Sequence, residues 1–98
     1  MTTCEMDETN GGRHSKLGMA FMQIPAEAMA CLARVLHEGA EAHHDPDGSN
    51  WRRIPVETHL NHALYHINAW QRGVCSEEDH LAHAMTRLVM AYTVENGG

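Results

Sequence analysis

Three stretches of this chain repeat their apolar side chains every third or fourth position, and none alternates apolar with polar, so the pattern confines it to packed helices. The first, "PAEAMACLARVLHEGAEAH", is rich in strong helix formers, with Met29, Leu32, Val35 and Leu36 at helical spacing and Pro25 suited to a first turn. It predicts a helix over residues 25 to 43. A second begins near Pro55, with Val56, Leu60, Leu64 and Ile67 as its apolar stripe and Gly73 as its stop. The third follows "SEED", with Ser76 as N-cap, and carries Leu81, Met85, Leu88, Val89 and Tyr92. "HHDPDGSN", a run of turn formers, is the loop between the first two helices. The short link between the second and third predicts an antiparallel helical hairpin, with the first helix laid over its apolar face.

Ninety-eight residues with 43% apolar content support one core and no more. The expected organisation is an all-α, three-helix domain over residues 17–94, preceded by a flexible tail over residues 1–16 that has few apolar side chains and a Gly11-Gly12 pair. So thin a core makes a homo-oligomer the expected state. Cys4, Cys31 and Cys75 have neither even number nor zinc spacing and read as free thiols. The formal charge of -6 argues against duplex nucleic acid or a membrane surface as partner, while a small anionic ligand answers only to local charge. No apolar run reaches the roughly 18 residues of a membrane span, and "MTTCEMDETNGGRHSK" lacks the chemistry of a secretory signal, so a cytoplasmic protein is expected.

Nine histidines are the unusual feature of the composition. At about 100° per residue, with Leu60 as the centre of the buried stripe, His59, His66 and Trp70 fall to one side of the second helix and His62 farther round. On the third helix His80 and Arg87 lie at the same offset from Leu81, with His83 farther out. For antiparallel neighbours these edges either face each other, making one groove of His59, His66, His80, Arg87 and Trp70, or point apart as two wet edges. The sequence leaves both arrangements open. As metal ligands the candidates are His59, His66, Asp79 and His80, with His62 and His83 nearby, because imidazoles one helical turn apart can share an ion. Against that, boundary histidines also serve simply to cap a small core, and Asp79 as the acid of a capping box.

In "NWRR", Arg52 and Arg53 offer bidentate donors to phosphate and Trp51 a stacking face for a base, with Arg13 and Lys16 as further charge. The plainer reading has Trp51 plug one end of the bundle, leaving both arginines solvated.

Taken in order, "HSKLG", "QIPAEAMACLARVLHEGAEAHH", "SNWRRIP", "ALYHINAWQRG" and "EEDHLAHAMTRL" resemble the cues of a family of short phage and prophage proteins, the N-terminal domain of dATP/dGTP diphosphohydrolase. The resemblance covers about Lys16 to Tyr92 and points to Lys16, Asn50, Trp51, His66, Asp79 and His80 as shared positions. Departures are His43 and His44 in place of a usual Lys-Tyr, Tyr65 before His66 in place of Arg, and Arg87 where Asn is usual.

The resemblance implies a nucleotide ligand in a bacterial host cell and a metal-dependent phosphohydrolase ancestry of the all-helical, MazG-like kind, with Mg²⁺ or Mn²⁺ as cofactor. Such enzymes hold their ion with acidic residues on paired helices. This chain has no E-E-x-x-E box, and Glu38 and Glu41 are its nearest substitutes. Two functions therefore stand side by side. In one, His66, Asp79 and His80 serve hydrolysis while Asn50, Trp51, Arg52, Arg53, Lys16 and Arg87 bind the nucleotide. In the other, the protein is a non-catalytic sponge for a signalling nucleotide, cyclic or of ADP-ribose type, made by host defence. A helical adaptor whose histidines are only surface is a third, plainer alternative.

Overall fold

The computed structural model describes residues 19–74 and 77–98. The expected N-terminal tail, Arg13, Lys16 and the N-cap assigned to Ser76 lie outside the described residues, as do Cys4 and Cys75. Within them the regular elements are helical: α1 (Ala26–Ala42), α2 (Val56–Gln71) and α3 (His80–Glu95), with 3₁₀ turns at Phe21–Gln23 and Asn50–Arg53. No helix among the described residues is long and apolar enough to cross a membrane.

The two 3₁₀ turns lead into α1 and α2 in the same way. Each is followed by Ile-Pro, and the isoleucine before the proline is driven into extended backbone, with ψ 123° at Ile24 and 134° at Ile54. That ends the tight turn and sets the proline as the helix N-cap, its carbonyl taking the first helical amides. The third helix starts differently. Asp79 is its N-cap, with Oδ1 accepting from the Ala82 amide at 3.1 Å, so α3 begins at His80. At the other end of α1, His44 occupies the left-handed position at φ 53°, where glycine is the usual residue, and the Asp45 amide returns to the Ala40 carbonyl. Asp45 Oδ2 then accepts from the Asn50 amide at 2.9 Å, which ties the loop to the start of "NWRR".

α3 is the central element, packed most extensively against α2 and less against α1 and the Asn50–Arg53 turn. The packing reverses part of the expected hydrophobic pattern. On α1, Val35 is buried and Leu32 and Leu36 are half-buried, as the periodicity predicts, although Met29 is exposed. On α2, however, Leu60 and Leu64 are exposed at 40% and 63%, while His59, Ala63, His66 and Ala69 are buried. On α3, Leu81, Leu88, Val89 and Tyr92 are exposed and His80, Ala82, Ala84, Thr86 and Ala91 are buried. The expected apolar centre of the α2–α3 pair is thus its outer face, and the expected histidine edge is its seam. Alanine explains how this packs: a seam of one-carbon side chains lets two helix backbones approach, and the spaces between alanines admit imidazoles.

Candidate functional site

The two histidine edges face each other. His59 meets Arg87, and His66 meets His80. His59 is wholly buried, and its hydrogen bonds define its tautomer. Arg87 Nη1 can only donate, and it donates to His59 Nδ1 at 3.0 Å; Nε2 therefore carries the proton, which it gives to the Trp51 carbonyl at 3.0 Å. This chain of contacts links α3, α2 and the "NWRR" turn, and the Trp51 ring adds an edge-on contact with the His59 ring at 6.3 Å. Burial lowers the Arg87 pKa below its ordinary value, but a guanidinium keeps its charge through such a shift.

Farther along the seam, His66 Nδ1 and His80 Nδ1 lie 3.0 Å apart with both rings buried, so one ring donates and the other accepts. Tyr65 stands edge-on to both rings, and His83 stacks at a tilt on His66 with centroids 5.0 Å apart. Glu78, from the connection into α3, brings Oε1 to 3.9 Å from His80 Nδ1. The His66 pKa is lowered first by burial and then by neighbouring His83, with His80 and His62 acting in the same direction and Glu78 against them. That of His62 is lowered by burial, then by Arg87 and His59.

Several of these groups border a cleft of about 530 Å³ between α1, the Asn50–Arg53 turn and the α2–α3 seam. The size falls within the usual range of small-molecule sites. Its lining includes Asn50, Trp51, His62, His66, His83 and Arg87, together with Val35, Leu36, Glu38 and Glu78. Among the described residues Arg87 is the one arginine or lysine in this lining, set against the carboxylates of Glu38, Asp45 and Glu78.

The residues singled out from the sequence divide accordingly. Asn50, Trp51, His66 and Arg87 border the cleft. His80 stands directly behind His66, and His59 behind Trp51 and Arg87. Asp79 is turned away: its carboxylate caps α3 and lies 3.9 Å from Arg34 Nη2, and its neighbour Glu78 is the acid beside the imidazoles. Arg52 lies over the Trp51 ring, 4.5 Å from its centroid, and donates to the Gly98 carbonyl, while Arg53 donates to Asn50 Oδ1; neither lines the cleft. Arg52 thereby occupies one of the two faces of Trp51. Of the acidic substitutes on α1, Glu38 lines the cleft and is 3.5 Å from Arg34, whereas Glu41 points to His37. Trp70 is exposed. Glu78 and His83 are the residues that sequence reasoning undervalued. The three-residue spacing of His80 and His83 was a signal for the second, but nothing local distinguished Glu78 from Glu77 or Asp79.

The fold and cleft define a small all-helical protein with an imidazole-lined pocket that an aromatic side chain and an arginine also border. The sequence profile of the family dATP/dGTP diphosphohydrolase, N-terminal, matches residues 8–98, and the chain belongs to that family. No curated protein and no solved structure matches it.

Proposed function

We propose that this chain binds a purine deoxynucleotide, with its phosphates directed at Arg87 and the imidazoles of the cleft and its base at the face of Trp51 opposite Arg52. The observation that carries this reading is the convergence of Trp51, Arg87 and His66 on one cleft of nucleotide-compatible size, in a chain of the dATP/dGTP diphosphohydrolase family. It takes α2 and α3 as an antiparallel hairpin, which the pairing of His59 with Arg87 and of His66 with His80 supports. In the hydrolytic form of the function, His66 and His80, with Glu78 in the role expected of Asp79, hold a divalent ion or position water against a phosphate. A second reading, a sponge that holds a cyclic or ADP-ribose-type nucleotide unchanged, is favoured by one feature: Glu38 and Glu78 enter the cleft from separate elements, in place of an acidic box on paired helices.

The test is a thermal-shift screen of purine deoxynucleotides, cyclic dinucleotides and ADP-ribose derivatives, followed by chromatography of the bound ligand. dATP or dGTP is expected to raise Tm, and to do so at least about tenfold less effectively for R87Q, since a charged hydrogen-bonded contact contributes about 1.5–3 kcal/mol. R53Q is expected to bind as the wild type does. A converted ligand identifies an enzyme, and an intact one a sponge. If no nucleotide shifts Tm or binds saturably in dialysis, the proposal fails.

The reading also includes a homo-oligomer, in which the exposed leucine face of α2 and α3 is covered by a second copy of the chain. The buried apolar side chains among the described residues are Val35 and five alanines, too little for a domain of this length, while Leu60, Leu64, Leu81, Leu88 and Tyr92 are exposed on the two paired helices. Self-association is the usual remedy for a core that small.

A further inference from the structure

We propose that His66, His80 and Glu78 form a binding site for a first-row transition ion of the zinc type, with an open coordination position facing the cleft. The site stands on its own donors; a role for it at a phosphate rests on the nucleotide reading above.

One ligand atom from each of the three residues lies within 4.8 Å of the other two. The two Nδ1 atoms are 3.0 Å apart, and Glu78 Oε1 is 3.9 Å from the second of them. A tetrahedral ion with bonds of about 2.0–2.1 Å keeps its donors about 3.3 Å apart, between those two separations. The third pair, His66 and Glu78, is bounded at 4.8 Å, so seating the ion requires Glu78 to swing inward, which its half-exposed side chain permits. The imidazoles come from different helices and are held rigidly in the seam, at 7% exposure each, while the carboxylate is supplied by the connection between those helices. Two buried nitrogens and one oxygen suit zinc and its neighbours. They do not suit Mg²⁺, which prefers an octahedron of oxygens and keeps much of its water.

The direction of the open position follows from the lining. His66 and Glu78 border the cleft, and His80 lies behind His66. The fourth ligand would then come from the cleft side, as His83, a water or a phosphate oxygen. His83 also borders the cleft and stacks against His66. An ion here would also answer a charge problem, because among the described residues Glu38, Asp45 and Glu78 outnumber Arg87 around a space proposed to hold phosphates.

The experiment uses the untagged full chain, stripped with chelator and desalted, and titrated with Zn²⁺ by calorimetry and with Co²⁺ by visible absorption. One ion per chain is expected, with the strong absorption of four-coordinate Co²⁺ and no heat from Mg²⁺. H66Q, H80Q and E78Q should each weaken binding at least about tenfold. H37Q, at an exposed histidine beside Glu41, should leave it unchanged. Because Glu78 is half-exposed, E78Q tests the site even if the buried histidine variants unfold. The proposal is overturned if no saturable zinc binding occurs, if binding survives in E78Q and in whichever histidine variants fold, or if Mg²⁺ competes equally. Nucleotide binding by zinc-free protein, measured in parallel, separates the two readings. Nucleotide without zinc binding overturns only the metal site, and zinc without nucleotide binding overturns only the nucleotide reading.

Discussion

The inner and outer faces of the α2–α3 pair have exchanged the roles that their side chains suggest. Inside lie His59, His66, His80 and Thr86 among alanines; outside lie Leu60, Leu64, Leu81 and Leu88. The inner face is tolerable because its polar groups are matched. His59 uses both ring nitrogens, His66 and His80 bond to each other, and Thr86 Oγ1 donates to the Ala82 carbonyl at 2.8 Å. No buried side-chain nitrogen or oxygen among the described residues lacks a partner. Such matching is what a buried polar group requires, and it fixes helix register more sharply than leucines could. The outer face has no such demands on geometry, and it is the face that the proposed second copy would cover. One face thus specifies a site, and the other has the material for assembly.

The largest effect expected from breaking this contrast is at His59. H59A strands the Trp51 carbonyl and removes the partner of a half-buried guanidinium, at a cost of about 3 kcal/mol in urea denaturation. L60A, one residue away on the outer face, should cost under about 1 kcal/mol at concentrations where the chain is monomeric. Equal costs for the two would mean that the leucine face is core after all.

The next effect concerns the outer face alone. L64D combined with L88D should lower the solution mass measured by light scattering to that of one chain, and should remove any dependence of Tm on protein concentration. A wild-type chain that is already monomeric at high concentration sinks the second-copy reading.

The smallest effect is a pH dependence that sharpens the picture of the seam. The pKa values of His62 and His66 are lowered in the folded chain from the ordinary value of 6.5, in each case by burial first. Below 6.5 the unfolded chain therefore binds protons that the folded chain resists. Stability from these groups is complete above pH 6.5 and is lost as pH falls through their lower folded values. Chelator-treated protein should show Tm falling between about pH 7 and pH 5, with a shallower fall in H62N. A Tm that rises on acidification would contradict this sign.

The three helices, their approximate limits and the turn-rich loop were legible in the sequence because each is a local matter: helical periodicity, helix-starting prolines and turn formers act over a few residues. The family was legible as well, through short motifs in a set order. The histidine positions on one edge of each helix followed from the 100° step alone. Whether those edges met could not follow from it, since the hand of the α2–α3 turn is a long-range property. Asp79 and Glu78 show the same boundary. Both are acids at the start of α3, and only the packing of α3 against α1 and α2 assigns one to the helix cap beside Arg34 and the other to the imidazoles. Local chemistry thus determined which segments are helical and which side chains are available for a site. Tertiary structure decided which face is buried, because the choice depends on how closely two backbones can approach, and small alanines outweighed larger leucines there.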